Sequence, residues 1–95
     1  MLNKILTGSV SAIGNTALQL TKQPIGTAKI YIKAFPTNTA PLYVGKSDVT
    51  YATADATDGL VLSASEGVYI EFTDPTTLYV VSSGTGQKAS FLIVY

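Results

Sequence analysis

The sequence predicts an all-β fold, a small β-sandwich or jelly-roll-like barrel of about 7–9 short antiparallel strands. Three observations lead there. Apolar residues recur with period two in several runs, the spacing of a strand with one buried face. Clusters of glycine, proline, Asx and serine interrupt those runs at short intervals, supplying the turn chemistry. No segment carries an apolar stripe at helical spacing.

Taken in order, the predicted strands cover 4–11, 16–21, 27–35, 41–45, 49–53, 60–63, 67–73, 77–82 and 89–95. The opening MLNKILTGSVSAIGN is weakly patterned and rich in small residues. Residues 1–15 therefore read as an N-terminal arm on a neighbour or as an edge strand, and 16–95 as the sandwich domain. QPIG introduces TAKIYIKAF, where Ala28, Ile30, Ile32 and Ala34 form a core face and Lys29, Tyr31, Lys33 and Phe35 face away. The Pro-bracketed PTNTAP then joins this strand to LYVG, and the pair reads as a hairpin. VGKSD is a turn, and TYATADATDG a low-complexity loop or irregular edge connection. SASEG turns into GVYIEF, where Val68, Ile70 and Phe72 oppose Tyr69 and Glu71. TDPTT puts Pro75 in a turn. TLYVVSS and KASFLIVY are apolar on both parities, as suits strands central in a sandwich or covered by another subunit. SSGTGQ between them reads as a hairpin loop.

Composition narrows the function classes. The 95 residues amount to one domain with a thin core. There is no cysteine, so no disulfide or thiolate metal site reinforces it. Only 13% of residues are charged, against about 25% in an average soluble domain. Six lysines balance six acids, and such a charge-poor neutral surface favours association, which marks a subunit rather than a free monomer. No arginine is present, and arginine's planar fork is the usual grip on phosphates, so a nucleic-acid partner is not expected. No run of about 18 apolar residues spans a membrane, and the N-terminus lacks the apolar region of a signal peptide, which predicts cytoplasmic synthesis.

The candidate chemistry is sparse. Without histidine or cysteine, Ser-His-Asp, Cys-His and His-bearing zinc sites are excluded. Glu66 and Glu71 fall on opposite faces of their strand if the alternation is unbroken, so they do not form a glycosidase pair. Asp48, Asp55 and Asp58 lack the ordered spacing of a calcium loop and read as turn residues. GTGQK lacks the phosphate-loop pattern and precedes a strand. No catalytic residue, cofactor or metal is predicted, and the chain is not read as an enzyme. The six tyrosines stand out, because the side chain offers broad apolar area with a polar tip. Tyr31, Tyr43 and Tyr69 alternate against core residues and should face outward. The candidate interface comprises Tyr31, Lys33, Phe35, Tyr43, Tyr69 and Tyr79. Filling the second half of a sandwich, contacting a protein and stacking on a sugar are the three uses open to the tyrosines.

Two segments carry a family resemblance. The first is Ile30, Ile32, Lys33, Ala34, Thr37, Asn38, Thr39, Tyr43, Val44, Gly45, Ser47 and Val49, in the pattern I-x-I-K-A-x-x-T-N-T-x-x-x-Y-V-G-x-S-x-V. The second comprises Gly67, Ile70 and Phe72, then Asp74, Leu78, Tyr79 and Val80, then Ser90, Leu92 and Val94. Together they resemble small virion proteins of tailed bacteriophages, from Ala28 to the C-terminus. The resemblance implies a capsid decoration (cement) protein on the exterior of the virion, bound to the major capsid protein and to identical copies of itself as a homotrimer. A tail, fibre or neck component is the neighbouring reading, and a carbohydrate-binding β-sandwich module the alternative of a different class.

Overall fold

The computed structural model of the chain describes residues 4–51 and 57–95, and of Phe72 the backbone alone. Among the described residues eight strands form: β1 Ile5–Ile13, β2 Leu18–Gln19, β3 Ala28–Ala34, β4 Leu42–Gly45, β5 Leu60–Leu62, β6 Gly67–Thr73, β7 Tyr79–Ser82 and β8 Gln87–Val94. A 3-10 turn, Pro75–Thr77, precedes β7; Asp74 caps it, its carboxylate accepting from the backbone N–H and the hydroxyl of Thr76. The strands make two four-stranded antiparallel sheets, in the orders β1-β8-β3-β6 and β2-β7-β4-β5. The pairs β1 with β8, β2 with β7, β3 with β6 and β4 with β5 are nested, so the chain is one long hairpin rolled across two sheets. That is jelly-roll topology, and the all-β sandwich the alternation predicts is present.

The alternation decides which side chains fill the space between the sheets. On β3, Ala28, Ile30, Ile32 and Ala34 are buried while Tyr31 and Lys33 are exposed. Ile93 and Ala89 of β8, Leu42 and Val44 of β4, Leu62 of β5 and Val80 of β7 complete the core. The two runs that are apolar on both parities, β7 and β8, are each interior strands of their sheet. Aromatic packing also covers a weak point: the Phe91 ring lies where a Cβ on its cross-strand partner Gly8 would sit, shielding an otherwise bare backbone.

β1 is an edge strand, registered with β8 from Ile5 opposite Val94 to Val10 opposite Ala89. Leu6 and Val10 pack inward against the core. Unbroken alternation would then turn Ile13 outward. Instead one extra residue enters between Val10 and Ile13, where Ala12 takes φ 59°, and this bulge resets the parity so that Ile13 is fully buried. Just beyond it, the Gly14 carbonyl accepts from the Ser82 N–H, fastening the corner where the chain passes to the second sheet.

Three sequence-based expectations require correction. β3 and β4 are not a hairpin, because they lie in different sheets. Both edges of β3 are taken, by β8 and β6, so the chain leaving Ala34 must cross the sandwich. The 83–86 link likewise arches from β7 to β8 between sheets and is not a hairpin loop. Residues 49–51 form no strand: Thr50 makes one isolated parallel bridge to Asp58, and 52–56, with Asp55, lie outside the described residues.

The segment after β4 instead folds close over its own strand. Val49 is buried, and a Cβ on Gly59 would fall 2.7 Å from the Val44 carbonyl oxygen and 2.8 Å from its nitrogen. Backbone atoms inside a ladder cannot withdraw. Gly59→Ala is therefore expected to cost about 1–3 kcal/mol, the usual range for overpacking, read as a lower midpoint in a urea melt. An unchanged midpoint would show that β5 can shift away from β4.

Candidate functional site

The candidate interface residues divide between the two outer faces of the sandwich. Register places Tyr31 opposite Tyr69 on one side and opposite Leu92 on the other, and Leu92 opposite Thr7. One row, Thr7, Leu92, Tyr31 and Tyr69, thus crosses the whole outer face of the β1-β8-β3-β6 sheet. Ile5 and Val94 form the adjacent row on the same face. Tyr69 keeps 54% of its surface accessible and Ile5 68%. The Tyr31 ring leans across β6 into the space a side chain at Gly67 would need, so the glycine lets the aromatic lie flat along the sheet. Lys33 is exposed beside this ridge, and Phe35 continues it past the end of β3 with the Lys88 ammonium 5.9 Å from its ring centre.

Tyr43 and Tyr79 lie on the other side of the molecule, on the outer face of the β2-β7-β4-β5 sheet, and are half-buried. The chain covers the middle of this face itself. Tyr51, on the segment after β4, brings its ring to 6.3 Å from that of Tyr43, tilted by 46°. Val81, directly opposite Tyr43, faces outward from the core layer yet is only 2% exposed. The chain's own loop covers the middle of one sheet face, leaving Val61 of the edge strand β5 exposed opposite Tyr43, and the other face is bare.

Electrostatics separate the same regions. Lys29, Lys33 and Lys88 border the bare ridge, with Glu71 the acid on that face. Glu66 closes the β5–β6 turn, its carboxylate accepting from the Ser63 N–H at 2.7 Å. Asp58 accepts from the Thr50 hydroxyl, and Asp48 sits 3.8 Å from Lys46 at the surface. Among the described residues no group of three or more His, Cys, Asp or Glu could hold a metal, and no helix is long and apolar enough to cross a membrane. A shallow open depression of about 340 Å³, lined by Leu60, Val61, Leu62, Glu66, Gly67 and Val68, lies between the edge strands β5 and β6.

Sequence reasoning passed over two features here. Leu60 and Val61 are exposed on β5, but the run LVL is apolar at both parities and so does not announce a surface. The T-N-T motif of the resemblance proves to be a latch. The Asn38 carboxamide imitates a neighbouring strand, donating to the Lys88 carbonyl at 2.8 Å and accepting from its N–H at 2.9 Å. Gln87, 2% exposed, accepts from the N–H groups of Thr39 and Ala40 and donates to the Thr39 hydroxyl and the Thr85 carbonyl. These residues build the arch between sheets rather than a ligand site.

No family model matches the chain, and no curated protein matches it. Among solved structures it is similar to a chain from Bacillus endospore appendages, which form a novel family of disulfide-linked pili: the TM-score is 0.54 at 14% identity, covering 95% of this chain and 84% of that one. At that identity the likeness is one of fold. Lacking cysteine, the present chain does not carry the covalent link by which those pili are described.

Proposed function

We infer that the chain is a structural subunit of a larger protein assembly, namely a decoration protein on the outer shell of a tailed-bacteriophage virion, where homotrimers bind the major capsid protein and stiffen it. The observation that carries this reading is the bare aromatic ridge on one sheet face of a molecule whose own loop packs over the middle of the other face. An exposed contiguous apolar surface bordered by charge is a protein-contact surface, and Tyr is enriched at such contacts. The resemblance of Ile30–Val49 and Gly67–Val94 to virion proteins supplies the setting. A rigid two-sheet module with low charge suits a protein whose work is mechanical.

Immunogold labelling of virions from the strain that encodes this chain tests the setting. Label spread over the shell is the expected result. Label confined to the tail would move the protein there, and unlabelled particles would remove the virion reading. The surface is tested with Tyr31→Ser combined with Tyr69→Ser. Both side chains are exposed, so two surface changes of about 0.5 kcal/mol each should lower the melting temperature by about 8 °C at most. Retention on particles should fall at least about tenfold, roughly the loss of one interface contact of 1.4 kcal/mol.

A further inference from the structure

β1 and β6 are the two edges of the β1-β8-β3-β6 sheet, and register decides which backbone groups each turns outward. The Ala34 N–H donates to the Glu66 carbonyl and the Phe35 N–H to that of Lys88. Even-numbered residues of β3 therefore bond to β6 and odd-numbered ones to β8. On β6, Val68 and Ile70 bond to β3, while the N–H and C=O groups of Gly67, Tyr69 and Glu71 point to the open side. The Glu71 carbonyl accepts from the Thr73 hydroxyl at 3.2 Å, which leaves it a second lone pair. The rim of the sandwich is also open beside this strand. Leu60, opposite Val44, faces the core side of β5 and is still 54% exposed. It lines the depression of about 340 Å³ together with Gly67 and Val68 of β6.

We propose that β6 pairs with β6 of a second copy, antiparallel about a two-fold axis at Tyr69, joining the two sheets edge to edge. Tyr69 then exchanges backbone bonds with Tyr69 of the second copy, and Gly67 with Glu71 of the second copy. Charge selects this register. An axis at Glu71 would set the two Glu71 side chains face to face, and an axis at Ile70 would set them on a diagonal, both repulsive. An axis nearer Gly67 leaves fewer residues paired. With the axis at Tyr69 the two glutamates are about four residues apart along the strands, about 14 Å. Each arrives over Gly67 of the other copy, where a carboxylate finds room and partners. Gly67 has no side chain, the Tyr31 hydroxyl lies over it, and Lys33 stands opposite it on β3. The tyrosines of the two copies form one aromatic row. On the core side Val68 faces Ile70 of the second copy as a closely spaced pair, at the mouth of the depression.

The opposite edge lacks these features. Lys4 and Tyr95 bond to each other in both directions, so the open side of β1 belongs to Ile5, Thr7 and Ser9. Those residues offer neither a charge nor a glycine to set a register. A two-fold contact cannot build a trimer. Within the reading of the chain as an assembly subunit, on which this inference rests, it joins a copy in one homotrimer to a copy in the next. Backbone pairing uses the edge of β6 and leaves the outer face of the sheet to the shell.

A single strand pair is a small contact, below the roughly 1,200 Å² of stable interfaces, so covalent trapping is the suitable readout. The chain has no cysteine, and Tyr69→Cys places one thiol on the axis. Residues of a hydrogen-bonded pair have Cα atoms about 5.5 Å apart, inside the disulfide range of about 4.4–6.8 Å. Purified full-length chain is oxidised with diamide and read on non-reducing gels. Tyr69→Cys is expected to form disulfide dimers at least about tenfold faster than Glu71→Cys or Thr7→Cys, whose thiols this pairing keeps out of reach. Added to Tyr69→Cys, Lys33→Glu is expected to slow trapping about threefold by setting glutamate against glutamate. Adding Glu71→Lys to that variant is expected to restore the rate, which a loss of fold would not do. Equal trapping of the three single variants overturns the proposal, as does faster trapping at Thr7 or Glu71. So does a rate indifferent to Lys33→Glu, or one that the charge exchange fails to restore. Melting curves establish that the variants, all at exposed positions, are folded. Copy-to-copy contact is read here without any shell, so its failure leaves the virion reading to the labelling experiment.

Discussion

Removing residues 1–13 is expected to abolish cooperative folding. The deletion takes all of β1 and exposes β8, whose Ala89, Phe91 and Ile93 belong to the core or pack against it. Ile13 is fully buried, and Leu6 and Val10 are packed against the core. At about 1.5–3 kcal/mol for each fully buried aliphatic side chain, less for partial burial, the three together contribute about 4–7 kcal/mol. That is comparable to the whole stability of a small domain, about 5–15 kcal/mol. β8 would also become an unprotected apolar edge, a template for pairing with other chains. A thermal melt by circular dichroism should show no sigmoidal transition, together with concentration-dependent loss of soluble protein. A truncated chain that melts cooperatively near the wild-type temperature would show that the segment is an appendage to a sandwich complete without it.

How much of this was legible in the sequence follows from what alternation can encode. β3 and β6 stand where the period-two runs place them: β3 has one clean buried parity, and β6 turns Val68 and Ile70 onto the core and Tyr69 outward. Parity says which side of a strand is covered; it does not say which strand lies beside it. Of the seven connections between the described strands, six cross between sheets, and the β4–β5 link joins neighbours within one. The arch after Ala34 is held by Asn38 and Gln87 to partners 47 to 50 residues away, which no local pattern displays. The bulge at Ala12 is equally silent: an alanine at positive φ has no compositional mark, so the predicted strand ends at 11, short of Ile13.

The candidate site divides in the same way. Tyr31 and Tyr69 were readable as outward because each sits between two core residues, and register then shows that they are neighbours. Tyr43 has the same local pattern but lies on the opposite sheet, beneath the chain's own loop. Identical parity thus produces an open surface in one sheet and a covered one in the other. The difference is made by Tyr51, on the segment after β4, which packs its ring against Tyr43.

Gln87→Leu is expected to lower stability by about 3 kcal/mol, a fall in melting temperature of roughly 12–24 °C at 4–8 °C per kcal/mol for a domain of this size. Leucine is close in size, so the loss would come from hydrogen bonding and not from a cavity. The Thr39 and Ala40 N–H groups, bonded at 2.8 and 3.1 Å, would lose their acceptor, and the Thr85 carbonyl, bonded at 2.6 Å, its donor. Each group left unsatisfied away from water costs about 1–3 kcal/mol, with the part-buried position of this loop keeping the sum near the lower end. Gln87→Glu separates this account from a packing effect. A carboxylate restores the acceptor for Thr39 and Ala40 but sets a charge in a buried position against the Thr85 carbonyl. Burial disfavours the charged form, so the folded-state pKa of the new acid would rise above its unfolded value of about 4.3. Stability would then be greatest below that value, where the protonated carboxyl can still donate, and would be lost as pH rises toward the folded-state pKa. A Gln87→Glu protein whose deficit relative to wild type is the same at pH 4 and pH 7 would show that the side chain matters for its shape alone.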